Sequence, residues 1–398
     1  MSDNARLVRE KLDQAVAILN ELGIDAWMTF VRETMLTPDP SLELILGMDM
    51  VWQSAFILTR DNQRIAVVGL HDAENVHRIG GYTTVVPYVQ SIRDDLLRIL
   101  LELNPRQLAL NYSEDDAAAD GIGHGLMLLL QNYLADTDLG ERIISAERVI
   151  AALRGRKSPA EVERIRAAIH TTQAIFREIG NFVRVGMNEV EIADRVHSIL
   201  KERGLGSGWD WDYCPAVSAG PDSPVGHGGP QAQYTVQPGT LLHIDFGVKQ
   251  DSYCSDLQRI WYVRKDEHDT PPDVVKSAFD TVRSAIQAGF DALRPGVQGW
   301  QVDEAARKVI VEAGYPEYQY GTGHQLGRAA HDGATMLGPR WERYGKTPYG
   351  IVEAGNVYTL ELGVAVEGIG YVGLEEDVLV TKDGAEWLST PQDEIWLI

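Results

Sequence analysis

Five residues in the second half of this 398-residue chain have types and settings that could do chemistry: Asp245, Asp256, His324, Glu361 and Glu375. Asp245 sits between Ile244 and Phe246 in TLLHIDFGV, and Asp256 precedes Leu257 in YCSDLQRIWYV. His324 lies in the glycine-rich GTGHQLG, Glu361 between two leucines in YTLELGV, and Glu375 ahead of Val378, Leu379 and Val380 in GLEEDVLVT. A carboxylate inside a sheet is costly to desolvate, so each acid demands a cation, a donor set or a metal. Taken alone, an aspartate here reads equally as a hydrogen-bonded turn cap, and a glutamate as a solvent-facing or paired strand residue. Four embedded acids with one glycine-flanked histidine are a different matter. Together they could hold two hard or borderline divalent ions, with carboxylates bridging.

Strands must position these groups. Residues 240–263 read as two strands joined by a turn near Lys249-Gln250-Asp251, with Asp245 in the first and Asp256 in the second. Glu361 falls within a third strand, and Glu375 opens a fourth. Helices are expected at 273–293 and 299–313. Upstream, Ser158-Pro159-Ala160-Glu161 combines a serine cap, a proline at the first helical position and a glutamate that can close the capping box. The helix it starts runs to about Val183, and a second follows between the cap Asn188 and the stop Gly204. Residues 144–160 read as a boundary.

Before it, Val8, Leu12, Val16, Leu19 and Leu22 mark an amphipathic helix. The runs DAWMTFV, SAFILT, RIAVVGL and TTVVPYV have strand character. DDLLRILLEL and GLMLLLQNYL look helical, with strand-like QLALNY between them. This mixture predicts an α/β domain around a central sheet.

Composition narrows the function classes. Fifty-eight acids against 36 bases leave a formal charge of −22, which provides no footprint for nucleic acid or an anionic membrane. Two cysteines, Cys214 and Cys254, make neither a disulfide framework nor a metal-type spacing, and they suit a reducing cytoplasm. The N-terminus lacks the uninterrupted apolar stretch of a signal peptide, and no run reaches the roughly 18 apolar residues of a membrane span. A cytoplasmic protein is expected.

The segments HIDFG, YCSDLQR, GTGHQLG with the following HD, LELG and EEDVLVT, in this order, resemble the pita-bread metallopeptidase family of prolidase, aminopeptidase P, methionine aminopeptidase and creatinase. The aspartates are eleven residues apart and the glutamates fourteen. LRGRKSPAEVERIRAA resembles that family's linker into the catalytic domain. The resemblance implies a creatinase-like α/β N-terminal domain over 1–150 and an α+β pita-bread catalytic domain over 151–398.

It also implies roles. Asp245 chelates one ion, Asp256 and Glu375 bridge two, and His324 and Glu361 complete the second site. His227 in PVGHGG and His331 flank the substrate, and Glu361 moves the proton. The implied cofactors are two divalent ions, manganese first, with cobalt, iron or zinc as supply dictates. The implied activity is cleavage of the Xaa-Pro bond at the N-terminus of short peptides, in a homodimer.

The chain departs from the family pattern in three places. Glu361-Leu362-Gly363 replaces Glu-Pro-Gly, and His331-Asp332 replaces His-Glu. Gly373 stands where prolidase-like members commonly have an arginine. The loop Trp209-Asp210-Trp211-Asp212-Tyr213 is also unusual, and reads either as a packed surface loop or as a pocket wall or subunit contact. Two rival readings follow: a non-peptidase of the same fold acting on a small amide (creatinase-type, ectoine-type or a dimethylsulfoniopropionate lyase), and a binding protein without catalysis.

Overall fold

The computed structural model describes residues 3–226 and 228–398. The chain forms two compact units that meet at Arg154 and Gly155.

The first unit carries α1 (Asp3–Leu22), β1 (Ala26–Val31), α2 (Leu42–Ile45), β2 (Ser54–Thr59), β3 (Arg64–Gly69), α3 (Ala73–Ile79), β4 (Thr84–Tyr88), α4 (Arg93–Leu103), β5 (Leu108–Leu110), α5 (His124–Leu134), β6 (Ile143–Ser145) and α6 (Glu147–Gly155). Its six-stranded sheet has the order β4-β3-β2-β1-β5-β6 and mixes parallel with antiparallel pairs. Both faces are covered. Trp27, Phe56 and Val68 join one apolar cluster with α1, while Met28, Ile57 and Val67 join the other with α4 and α5. Val149, Ile150 and Leu153 of α6 also enter the first cluster. That packing draws α6 as far as Arg154 into this unit and carries the division past residue 150.

The second unit begins with α7 (Pro159–Phe182) and α8 (Glu189–Arg203), each started by a complete capping box, from Ser158 and from Asn188. Gly204 stops α8 in the left-handed conformation that glycine adopts without strain. There follow β7 (Gly206–Ser207), β8 (Ala216–Ala219), β9 (Leu241–Phe246), β10 (Val248–Gln250), β11 (Tyr253–Cys254), β12 (Leu257–Tyr262), α9 (Asp273–Ala292), α10 (Gly299–Glu312), β13 (Val357–Val366), β14 (Gly370–Val380), β15 (Ala385–Trp387) and β16 (Trp396–Leu397). The main sheet runs β13-β14-β12-β9-β8, with β15 and β16 added at β14 and β12. Leu360, Leu362 and Leu374 share an apolar core with Val282, Ile286 and Ile310 of α9 and α10. Because side chains alternate along a strand, Glu361 and Glu375 then face the other side.

Two expected positions shift. Asp256 precedes β12 rather than lying in it, and its amide donates to Asp377 Oδ2 at 3.3 Å. Glu375 lies in the middle of β14 because the pairing with β13 extends back to Gly370. No helix among the described residues is long and apolar enough to cross a membrane.

Candidate metal centre

Strand register builds the site. Glu361 of β13 stands opposite Glu375 of β14, Glu375 opposite Gln258 of β12, and Gln258 opposite Asp245 of β9. Directly opposed residues point to the same face, so four polar side chains form one row across four strands. Asp256, two residues before Gln258, approaches the row from the end of β12. His324 is brought in from the loop after α10, where its own amide bonds to Thr359 Oγ1 and its carbonyl accepts from the Thr359 amide.

Asp256, His324 and Glu375 each offer a ligating atom, all within 4.8 Å of one another. His324 Nε2 lies 3.8 Å from both Asp256 Oδ2 and Glu361 Oε1. Asp245 stands opposite Gln258 in the row, and its carboxyl and that of Asp256 act on each other directly. All five expected ligands are therefore in one place. Asp245 Oδ1, Asp256 Oδ1 and Glu375 Oε1 are buried without a hydrogen-bond partner among the described residues. Oxygens left this way are costly unless a cation occupies the space they face. The donor set thus fits divalent ions bound chiefly through oxygen, with one imidazole.

The electrostatics agree. Without a cation, burial pushes Asp245 up to about 7, and burial with repulsion from Asp245 pushes Glu361 up to about 8. Asp256 and Glu375 are held well above the ordinary carboxylate range, first by burial and then by neighbouring acids. Burial, and secondly His331, push His324 down to about 3, which keeps its imidazole in the neutral form that binds metals. Glu361 keeps 20% of its side chain exposed, so the row opens to solvent on its side.

Of the two histidines expected to flank the substrate, His331 stands edge-on to His324 with ring centroids 4.3 Å apart, and it is exposed. His227 lies outside the described residues. The departures from the family pattern have structural explanations. Leu362 is core, on the face opposite Glu361. Asp332 is buried in an ion pair with Lys157 at 2.9 Å. Trp211 stacks on His197 at 4.2 Å with the Lys201 ammonium above it, and Trp209 donates to the Tyr213 carbonyl. The aromatic loop is therefore packed down along part of its length, although Tyr213 stays half-exposed.

Several residues of the site carried no separate signal in the sequence. Gln258 Nε2 donates to Glu361 Oε2 at 3.0 Å and Glu375 Oε2 at 3.1 Å, while His243 Nε2 lies 2.9 Å from Gln258 Oε1. Both could have been found by period-two reasoning. His243 lies two residues before Asp245 and Gln258 two after Asp256, so each shares the face of an acid already singled out. Glu376 faces the opposite way and is paired with buried Arg259 at 2.9 Å.

The sequence pattern of Metallopeptidase family M24 matches residues 163–382. An uncharacterized peptidase of Staphylococcus saprophyticus is 30% identical over 266 residues, 66% of this chain and 71% of that protein. An Xaa-Pro dipeptidase from Bacillus anthracis has the same fold, with a TM-score of 0.76 at 23% identity over 98% of this chain and 100% of that one. Dipeptidase PepE from Mycobacterium ulcerans gives a TM-score of 0.77 at 21% identity over the whole of both chains. With the family pattern spanning the acids and the histidine of the site, the chain belongs to metallopeptidase family M24 and is a pita-bread metallopeptidase.

Proposed function

We propose that this peptidase holds two divalent ions and cleaves the bond between an N-terminal residue and proline in short peptides. The observation that carries the reading is the convergence of Asp256, His324 and Glu375 within 4.8 Å, beside buried carboxylate oxygens that lack partners among the described residues. Asp245 and Glu361 extend the donor set to five residues, of which Asp256 and Glu375 would serve both ions. Manganese suits this oxygen-rich set best. When bound, such ions supply Lewis acidity and lower the pKa of water towards neutrality.

The chain's own residues do the rest. Glu361 Oε2 is engaged by Gln258, which leaves Oε1 to take a proton from water and return it to the leaving nitrogen. That return is required, because an unprotonated amide nitrogen leaves poorly. His331, exposed beside His324, donates a hydrogen bond to the developing oxyanion. His227 is assigned the substrate's other flank by family likeness alone.

Position 373 bears on substrate length. Gly373 carries no guanidinium to bind the carboxylate of a dipeptide. Arg328 packs over Tyr253, and Arg340 over Trp300 beside Glu304. This arrangement favours Xaa-Pro-Yaa peptides at least as much as Xaa-Pro dipeptides. It equally favours the second reading, a small non-peptide amide as substrate.

The reading extends to a cytoplasmic homodimer. It is supported by two buried free cysteines and by Met35, Leu36, Val51 and Trp52, apolar side chains that are 55–81% exposed on adjoining segments of the first unit.

Metal analysis followed by turnover of Ala-Pro, Ala-Pro-Ala and a small-amide panel tests the proposal. Chelator-treated protein is expected to be inactive and Mn²⁺ or Co²⁺ to restore it. Full turnover in verified metal-free protein would refute the dinuclear reading.

A further inference from the structure

Gln258 sits at the middle of the row, opposite Glu375 on one side and Asp245 on the other. Its amide orientation follows from its neighbours. Two carboxylate oxygens, Glu361 Oε2 and Glu375 Oε2, lie 3.0 and 3.1 Å from one end of the amide. With cations bound both acids are ionised and only accept hydrogen bonds, so that end is the NH₂ group. The other end is the carbonyl oxygen, which also only accepts. His243 Nε2, 2.9 Å away, must therefore carry a hydrogen and donate it. His243 is buried, and among the described residues its Nδ1 has no partner and none competes for the ring's orientation from that side.

This chain of donors runs in one direction, from imidazole to amide to two acids. It holds the Oε2 atom of each glutamate and leaves Glu375 Oε1 without a partner among the described residues.

The same two side chains explain Gly373. A Cβ there would lie 2.6 Å from His243 Nε2, 2.8 Å from Gln258 Oε1 and 2.7 Å from Tyr371 Cε1. No side chain at position 373 fits while His243 and Gln258 keep their places. An arginine at 373 and the His243–Gln258 pair are alternative occupants of one space.

We propose that Gln258 and His243 are a positioning pair that aims Glu361 and Glu375 at the bound cations, in the space that an arginine at 373 would otherwise take. The proposal rests on the dinuclear reading. Gln258 acts directly on the two acids, and His243 acts through Gln258 by fixing its amide.

The test titrates the full-length protein, stripped of metal, with Mn²⁺ alone, and records the visible spectrum after Co²⁺ loading. The variants are Gln258→Met, His243→Leu, His243→Gln and the double variant Gln258→Met/His243→Leu. Gln258→Met is expected to weaken Mn²⁺ binding by about 10- to 100-fold, the usual loss when a partner of metal ligands is removed. His243→Leu should fall in the same direction and shift the Co²⁺ spectrum. His243→Gln, which can offer an N–H near the position of Nε2, should recover most of the affinity. The double variant should bind no worse than Gln258→Met, because one residue works through the other.

Circular dichroism checks the fold of each. Should Gln258→Met fail to fold, the His243→Leu and His243→Gln pair still decides. Wild-type affinity and spectrum in His243→Leu would overturn the proposal, as would equal losses in His243→Leu and His243→Gln. Additive losses in the double variant would overturn the claim that His243 acts through Gln258. A wild-type protein that takes up no Mn²⁺ would overturn the dinuclear reading and this proposal with it. That result is seen in the wild-type titration before any variant is compared.

Discussion

Replacing Lys157 by methionine removes one half of a buried ion pair. Its ammonium lies 2.9 Å from Asp332 Oδ2, and the two side chains are 1% and 4% exposed. Both charges belong to the unit spanning Gly155–Ile398. Leaving one buried charge without its partner typically costs about 3–5 kcal/mol, because the survivor keeps its desolvation penalty and loses the attraction. For a unit of this size each kcal/mol moves the melting midpoint by about 2–4 °C, so the expected fall is about 6–20 °C.

A functional loss should accompany it. Asp332 directly follows His331, and its amide bonds to the Gln325 carbonyl beside His324. Loosening Asp332 therefore loosens both histidines, and kcat/KM should drop in samples whose metal content is held at the wild-type level. Lys157→Met/Asp332→Asn removes both charges and should recover much of the stability. Calorimetry on the wild type, the single variant and the double variant measures this. A single variant melting within about 2 °C of wild type would refute the ion-pair argument, as would a double variant no more stable than the single one.

Three other outcomes are expected. The raised values of Asp245 (about 7) and Glu361 (about 8) mean that the native metal-free protein holds protons the unfolded chain has released. Their stabilising contribution is complete below about pH 4 and disappears as pH rises through those values, so thermal scans in chelator should show a falling midpoint from about pH 5 to about pH 8. Mn²⁺ binding near pH 7 should release protons, read by calorimetry in buffers of different ionisation enthalpy, and a flat pH profile with no proton release would contradict both. Glu361→Gln should lose at least about 100-fold in kcat in samples that retain metal, measured on Ala-Pro-Ala with metal analysis alongside, because an amide cannot accept the proton. Gly373→Arg should destabilise the protein by about 1–3 kcal/mol and weaken metal binding, since its Cβ meets His243 and Gln258. A well-folded arginine variant that simply gains preference for Ala-Pro over Ala-Pro-Ala would show that this space is not committed.

The helical caps were legible because their signals are local. Ser158, Pro159 and Glu161 act within one turn, as do Asn188 and Glu191, and the helices begin where those residues predict. The acids were legible because an acid between apolar strand residues conflicts with its setting. Harder to read was anything set by pairing between distant strands. Glu375 sits at mid-strand because β13 and β14 pair along ten residues of β13, a length that apolar content alone does not reveal. Gln258 and His243 carry no charge at neutral pH and look ordinary in sequence; their importance appears only when β12 is laid between β9 and β14. The domain division also moved, because the apolar face of α6 packs into the first core and no composition change marks that choice.

The row across the sheet also orders events in time. β9 and β12 lie close in sequence, and so do β13 and β14, so each pair can zip up as a local hairpin. Between the two hairpins the chain passes through α9 and α10, and the seam that joins them is matched at Gln258 and Glu375. Closing that long loop is the slow, entropically expensive step. The donor set does not exist until it is complete, because Asp245 and Asp256 belong to one hairpin and Glu361 and Glu375 to the other. Cations that recognise the finished row then have no partner in the partly folded chain. They deepen the native basin after the barrier is crossed, so their effect falls on the unfolding rate. Refolding with and without Mn²⁺ should proceed at the same speed, and the loaded protein should come apart far more slowly.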